Sequence, residues 1–176
     1  MHRSGFGLLL ALAFASLVHT QETDRITLEA TIDAPVEAVW AAYTTQAGLE
    51  SWMVPHADVD LAVGGKMRTH FDPKGTIGDA QTIENTILTF EPERMLSMKV
   101  AKAPANFPFQ NAIQRIWSVV YFTPDGAKTK LTEVTMGFGE DPESQQLRQF
   151  LEAGNRMLLD RLQKKFAAGP GGGAQR

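Results

Sequence analysis

The sequence predicts an α+β fold, a curved antiparallel sheet wrapped around a long C-terminal α-helix. Three observations predict it. From about Glu143 to Phe166, the residues Leu147, Phe150, Leu151, Gly154, Met157, Leu158, Leu162 and Phe166 recur at steps of three and four, which gathers them on one helical face. At roughly two dozen residues this helix rises about 36 Å, enough to cross a small domain. Before it lie a first segment whose apolar residues alternate with polar ones, two short helical stretches, and then five or six further strand segments.

Each element has a local cause. Ile26, Leu28, Ala30 and Ile32 alternate with Thr27, Glu29, Thr31 and Asp33, a half-buried strand. Asp33-Ala34-Pro35 opens a helix with proline at its first position, and Val36, Val39, Trp40 and Tyr43 form its apolar face. A second short helical stretch carries Gly48, Leu49 and Trp52; Pro55, an extended piece through Val59 and Leu61, and the Gly64-Gly65 turn follow. In the next strand Met67, Thr69 and Phe71 share one side and Arg68 and His70 the other, ending in the turn Asp72-Pro73-Lys74-Gly75.

Ala80 to Phe90 reads as a strand, and Leu96, Met98 and Val100 alternate with Ser97 and Lys99 in another. Ala103 to Ala112, with two prolines and two phenylalanines, reads as a loop. Arg115 to Phe122 is apolar on both faces, and Pro124-Asp125-Gly126 turns it back. In the last strand, Thr132 to Phe138, the apolar set Val134, Met136 and Phe138 is expected to point inward. Asp141 then supplies an N-cap ahead of Pro142, and Gly169-Pro170 stops the final helix.

The 176 residues allow one domain with material left at both ends. His2 and Arg3, the apolar run Phe6 to Val18, and the small or polar Ser16, Thr20 and Gln21 form the three-part pattern of a secretory signal peptide. The expected organisation is a signal peptide over 1–20, a domain over 21–168 and a disordered glycine-rich tail over 169–176. The expected location is periplasmic or secreted, with no stable membrane anchor after cleavage, because a run of about 13 apolar residues is short for a bilayer of about 30 Å. The chain has no cysteine, so neither a disulfide framework nor a cysteine-linked lipid is available. Formal net charge is -3, and it becomes -4 once Arg3 leaves with the signal. No basic block or basic helix face exists, so nucleic acid is not an expected partner.

The stretch Ile32-Asp33-Ala34-Pro35-Val36-Glu37-Ala38-Val39-Trp40 carries a resemblance, with Gly48-Leu49 to Trp52 and then Gly64-Gly65-Lys66-Met67. Phe90-Glu91-Pro92-Glu93-Arg94-Met95-Leu96, Phe122-Thr123-Pro124-Asp125-Gly126 and Thr132 to Met136 follow in the right order. Together, over about Arg25 to Phe166, they resemble the domain similar to the C-terminal part of the heat-shock protein 90 ATPase activator. That family belongs to the START-like helix-grip superfamily (SRPBCC, polyketide cyclase and lipid-transfer). The resemblance implies a sheet gripping the last helix with a cavity between them, and it brings no shared catalytic signature. The exported N-terminus sets this chain apart from members that act on the chaperone in the cytosol.

Inward parity implied by the match at Leu96, Phe122 and Val134 makes Met67, Thr69, Phe71, Met98, Ser118, Val120 and Met136 sheet-side ligand-binding residues. Met157 faces them from the helix, Trp52 closes one end, and Phe107 or Phe109 on the long loop supplies a lid. Methionine fills irregular gaps and adapts to varied ligands, which suits a pocket for something apolar; an ordinary packed core is the competing reading. His70 and Glu84 fall on facing strands with outward parity and read as a solvated surface pair, and His56 as a loop or strand-edge residue. Of four histidines, only the separated His56 and His70 remain in the expected mature domain; with no cysteine and no His-x-x-x-His spacing they give no metal site, and no cofactor motif is present. No catalytic residue is assigned, since inward parity supplies only Ser118 and Thr69, neither with a base beside it.

Two functional classes follow. The first is an exported binding protein that holds a small apolar or amphipathic ligand. The alternative is an enzyme of the cyclase, dehydratase or hydrolase kind, which needs an acid or base inside the cavity. A protein-interaction reading rests on Trp117, Val119 and Tyr121, three large apolar side chains on the outer sheet face that suit a homodimer contact.

Overall fold

In a computed structural model that describes residues 24–167, seven strands pair in one antiparallel sheet in the order β1-β7-β6-β5-β4-β3-β2. They are β1 (Arg25–Ile32), β2 (His56–Val59), β3 (Lys66–His70), β4 (Ile83–Glu91), β5 (Met95–Lys102), β6 (Trp117–Asp125) and β7 (Lys128–Met136). The helices are α1 (Val36–Thr44), α2 (Gln46–Glu50) and α3 (Pro142–Ala167), and a short 3-10 turn spans Ala112–Arg115. This is the expected α+β helix-grip architecture. The signal peptide expected over 1–20 and the tail expected over 169–176 lie outside the described residues.

The order follows from the connections. Tight turns join β4 to β5 and β6 to β7, longer loops join β3 to β4 and β5 to β6, and α1 and α2 carry the chain from β1 to β2, from one edge of the sheet to the other. Register shifts in the β4–β5 ladder at Glu84/Asn85 and Ile87/Thr89 are bulges of the kind that bend a strand and curve a sheet. The concave face so formed carries the core: Ile32, Leu49, Ile87, Leu96, Leu131, Leu147 and Leu162 are fully buried. At the α1 end the packing is aromatic. Phe122 meets Trp40 and Tyr43 edge-on at 5.2 and 5.4 Å, and Tyr43 lies 5.1 Å from Trp52. The Trp52 indole N–H donates to the Ala42 carbonyl at 3.0 Å, so the ring is buried without losing its polar partner.

Helix α3 begins where its caps dictate. Asp141 accepts from the Ser144 amide at 3.0 Å and from its hydroxyl at 2.9 Å, and Pro142 opens the helix. At the other end of the chain Pro35 lies just outside α1, its carbonyl accepting from Ala38 and Val39, so that helix starts one residue later than expected. Along β1, the Arg148 guanidinium reaches the Arg25 carbonyl (3.5 Å) and the Gln163 amide reaches the Thr31 carbonyl (3.1 Å). The long helix therefore runs beside one edge of the sheet. Among the described residues no helix is long and apolar enough to cross a membrane.

Candidate functional site

Facing residues in an antiparallel pair share a side of the sheet, so register assigns every strand residue to a face. Val120 lies opposite Leu96 and opposite Glu133, and Glu133 lies opposite Leu28. Leu131, fully buried, lies opposite Phe122 and Ala30. The inner face of β7 is thus Leu131, Glu133 and Thr135. The expectation for this strand was off by one residue: Val134 and Met136 stand on the outer face, opposite Val119 and Trp117. One residue of shift exchanges an entire face, and here it brings a carboxyl inside.

Glu133 has one partner among the described residues. The Tyr43 hydroxyl on α1 donates to its Oε1 at 2.6 Å. Burial pushes the Glu133 carboxyl up to about 7, with the Tyr43 hydrogen bond pulling the other way, and no charged neighbour contributes. Burial, followed by the nearby carboxylate, also raises the Tyr43 phenol well above its ordinary value. Protein surrounds Glu133, yet the residue is half-buried rather than sealed. Its Oε2 has no hydrogen bond among the described residues and is not one of the sealed, unpartnered atoms, so it opens onto space that water can enter. Two residues along β7, the Thr135 hydroxyl lies 3.1 Å from the Ser118 hydroxyl of β6. That bond uses one of the two hydroxyl hydrogens and leaves the other free to point elsewhere.

Helix α3 forms the opposite wall. Leu147, Leu159 and Leu162 are buried, while Phe150 and Met157 on the flank of that stripe are 53% and 50% exposed. Gly154 sits between them on the inward half of the helix, and a Cβ placed there would meet nothing within 4 Å. At one end of this flank Phe150 packs against Phe107 and Phe109, with ring centroids 5.6 and 5.8 Å away. At the other end Arg161 joins Glu50, Ser51, Trp52, Met53, Val54 and Pro55 around an open depression of about 260 Å³.

Of the residues expected to bind a ligand, Met67, Thr69, Met98, Ser118 and Val120 stand together on the inner face. Trp52 is buried at the α1 end and also edges the depression. Three are placed elsewhere. Met136 is on the outer face, Phe71 lies one residue past the end of β3 and is 48% exposed, and Met157 is on the open flank of α3. His70 and Glu84 do not form a solvated surface pair. Glu84 binds Lys66 at 2.7 Å, whereas His70 is buried, with Nε2 3.1 Å from Asp79 Oδ1 and Nδ1 accepting from the Asp72 amide. His56 begins the edge strand β2, its Nε2 3.0 Å from the Pro73 carbonyl oxygen. Among the described residues no three acidic or imidazole groups converge as a metal site.

Residues 33–167 match the family described as Activator of Hsp90 ATPase homolog 1-like protein. The chain belongs to that family. Solved structures share its fold at low identity. A protein of Mesorhizobium loti is 22% identical, with 82% of this chain and 98% of that one covered and a TM-score of 0.66. The Aha1 dimer of Colwellia psychrerythraea is 16% identical, with 84% and 98% covered and a TM-score of 0.66. DynU16, a protein in the dynemicin biosynthetic locus, is 20% identical, with 83% of this chain but 48% of that one covered and a TM-score of 0.63. No curated protein matches the chain. At these identities the likeness of this Aha1-like chain to solved structures concerns the fold alone.

Proposed function

We propose that the protein is an exported small-molecule carrier or sequestering protein that holds an apolar or amphipathic ligand between the sheet and α3. The observation that carries this reading is the open flank of α3, where a Cβ at Gly154 would meet nothing within 4 Å and Phe150 and Met157 beside it are half exposed. Met98 on the inner sheet face is only partly buried, and Phe150 and Met157 on the helix give up much of their burial. Large side chains left exposed along one groove mark a place that a ligand covers. A polar end of the ligand finds Tyr43, Glu133, Ser118 and Thr135 at the bottom of the sheet.

The test begins with native mass spectrometry of the protein purified from its own periplasm or medium, which reads export and a bound molecule together. Gly154→Leu combined with Met98→Trp fills the groove. The double variant is expected to lose the co-purifying molecule and Nile red fluorescence while keeping its stability, since removing a mid-helix glycine favours the helix by about 1 kcal/mol. Unchanged dye binding in that variant would sink the reading.

The outer sheet face supports a second contact. Trp117 and Tyr121 are 38% and 45% exposed, and Val134 and Met136 extend the same apolar stripe. We propose a homodimer through this face; the solved relative from Colwellia psychrerythraea is itself a dimer. Trp117→Lys should halve the mass in solution, and an unchanged mass would count against this surface.

A further inference from the structure

We propose that Glu133 is a catalytic proton-transfer group, acting on a ligand that carries a weakly acidic C–H next to a carbonyl. The inference rests on the ligand-holding reading above and adds a reaction to it. Three features of the geometry point to it. Glu133 is held at one oxygen only, by Tyr43, and its other oxygen has no hydrogen bond among the described residues and is not sealed off. Its neighbours across the sheet, Leu28 on β1 and Val120 on β6, are apolar. The Tyr43 phenol is the titratable group facing it, from α1, and no cation or second carboxylate acts on it. A structural carboxyl buried for stability is normally satisfied at both oxygens or paired with a base; this one is left half-satisfied where a ligand would lie.

The step balances without any further reagent. Glu133 Oε2 takes the proton, the C–H electron pair becomes the carbon–carbon double bond of an enolate, and the carbonyl π pair moves onto oxygen. The spare hydroxyl hydrogen of the Ser118–Thr135 pair, on the same face as Glu133, is placed to donate to that oxygen. Return of the proton from Glu133 to another carbon gives an isomer. Its delivery to a departing β-hydroxyl gives an alkene and water. Tyr43 is a positioning residue, fixing the carboxyl plane through Oε1. A carboxyl that titrates near neutrality can serve as base and then as acid.

The probe is a nitrobenzisoxazole, whose single carbon-bound acidic proton is removed as its N–O bond breaks, releasing a yellow nitrophenolate. The wild-type full chain should accelerate this ring opening, with a rate that rises through about pH 7. Glu133→Gln keeps the Tyr43 hydrogen bond and should lower the rate about 100-fold or more, with Nile red binding retained. Tyr43→Phe should move the midpoint of the pH profile upward, a shift that a purely structural role would not produce. Glu133→Asp, which withdraws the carboxyl by one methylene, should fall between and serves if the Gln variant does not fold. Nile red bound but wild type no faster than Glu133→Gln overturns the proposal and leaves the binding reading standing. Loss of dye binding in the wild type overturns both.

Discussion

Among the described residues, two pairs join a buried ring to a carboxylate, and they are built to opposite ends. At His70 both ring nitrogens are occupied, by Asp79 and the Asp72 backbone, and Gly75 lies so close that a Cβ there would fall 1.9 Å from Cε1. At Glu133 one oxygen is occupied and the other faces open space. The first pair is closed on itself and ties the β3–β4 connection to the sheet. The second is unfinished. Burial alone therefore does not separate the two; unspent hydrogen-bonding capacity does, and it is what the proposal for Glu133 rests on.

Substitutions at the closed pair should show the largest effects on stability and the smallest on binding. His70→Ala is expected to cost about 2–4 kcal/mol, from the lost ring volume and the polar groups left without partners. Gly75→Ala should cost about 1–3 kcal/mol by overpacking against the imidazole. Both are read by chemical denaturation, with Nile red binding at saturation unchanged in the folded protein. A large loss of dye binding in either would break the contrast.

The unfinished pair should instead declare itself through pH. The folded carboxyl titrates at about 7 against an ordinary value of 4.5, so the native state favours the protonated acid. Stability from this group is full below pH 4.5 and is lost as pH rises through 7, by roughly 3 kcal/mol at most, at 1.36 kcal/mol per unit. Glu133→Gln should abolish that slope, measured as the difference in unfolding free energy between wild type and variant at pH 5 and about pH 8. A difference that is flat with pH would show the carboxyl to be solvated.

Smaller effects sharpen the comparison. Tyr43→Phe removes the one bond that lowers the Glu133 pKa, so the titration midpoint should climb further, with a stability loss of about 0.5–1.5 kcal/mol above it. Carboxyl chemical shifts in an NMR titration would report it. Glu84→Gln, at a carboxylate that ordinary pairing with Lys66 satisfies on the outer face, should change stability by less than about 1 kcal/mol and leave the dye untouched.

Most of the fold was legible in the sequence. Periodicity located α3 to within a residue at each end, Asp141-Pro142 marked its start, and Ile26 to Ile32 alternates as observed. The candidate site was misread in β7, where apolar residues were assumed to point inward. The strand inverts that rule: its apolar Val134 and Met136 cover the outer face, and its polar Glu133 and Thr135 line the inner one. Leu131 carried the missing signal, since an uninterrupted strand keeps its parity and Leu131 is the inward residue two before Glu133. His70 was misread for a different reason. Strand alternation correctly set it apart from Met67 and Thr69, but the loop from Asp72 to Asp79 folds back and buries it, a long-range event that no local pattern encodes.

The start of α3 carries one more consequence. Glu143, in its first turn, accepts the backbone amides of Asn111 and Ala112 at 3.0 and 3.1 Å, while Arg115 holds the capping Asp141 at 2.8 Å. The loop bearing Phe107 and Phe109 is thus anchored to the helix cap on the side where it meets Phe150. Swinging those aromatic rings away means giving up the loop's hydrogen bonds to Glu143, an event slower than side-chain rotation. For the ligand proposed above, the Ser51–Pro55 end, where Arg161 borders an open depression, is then the freer way in.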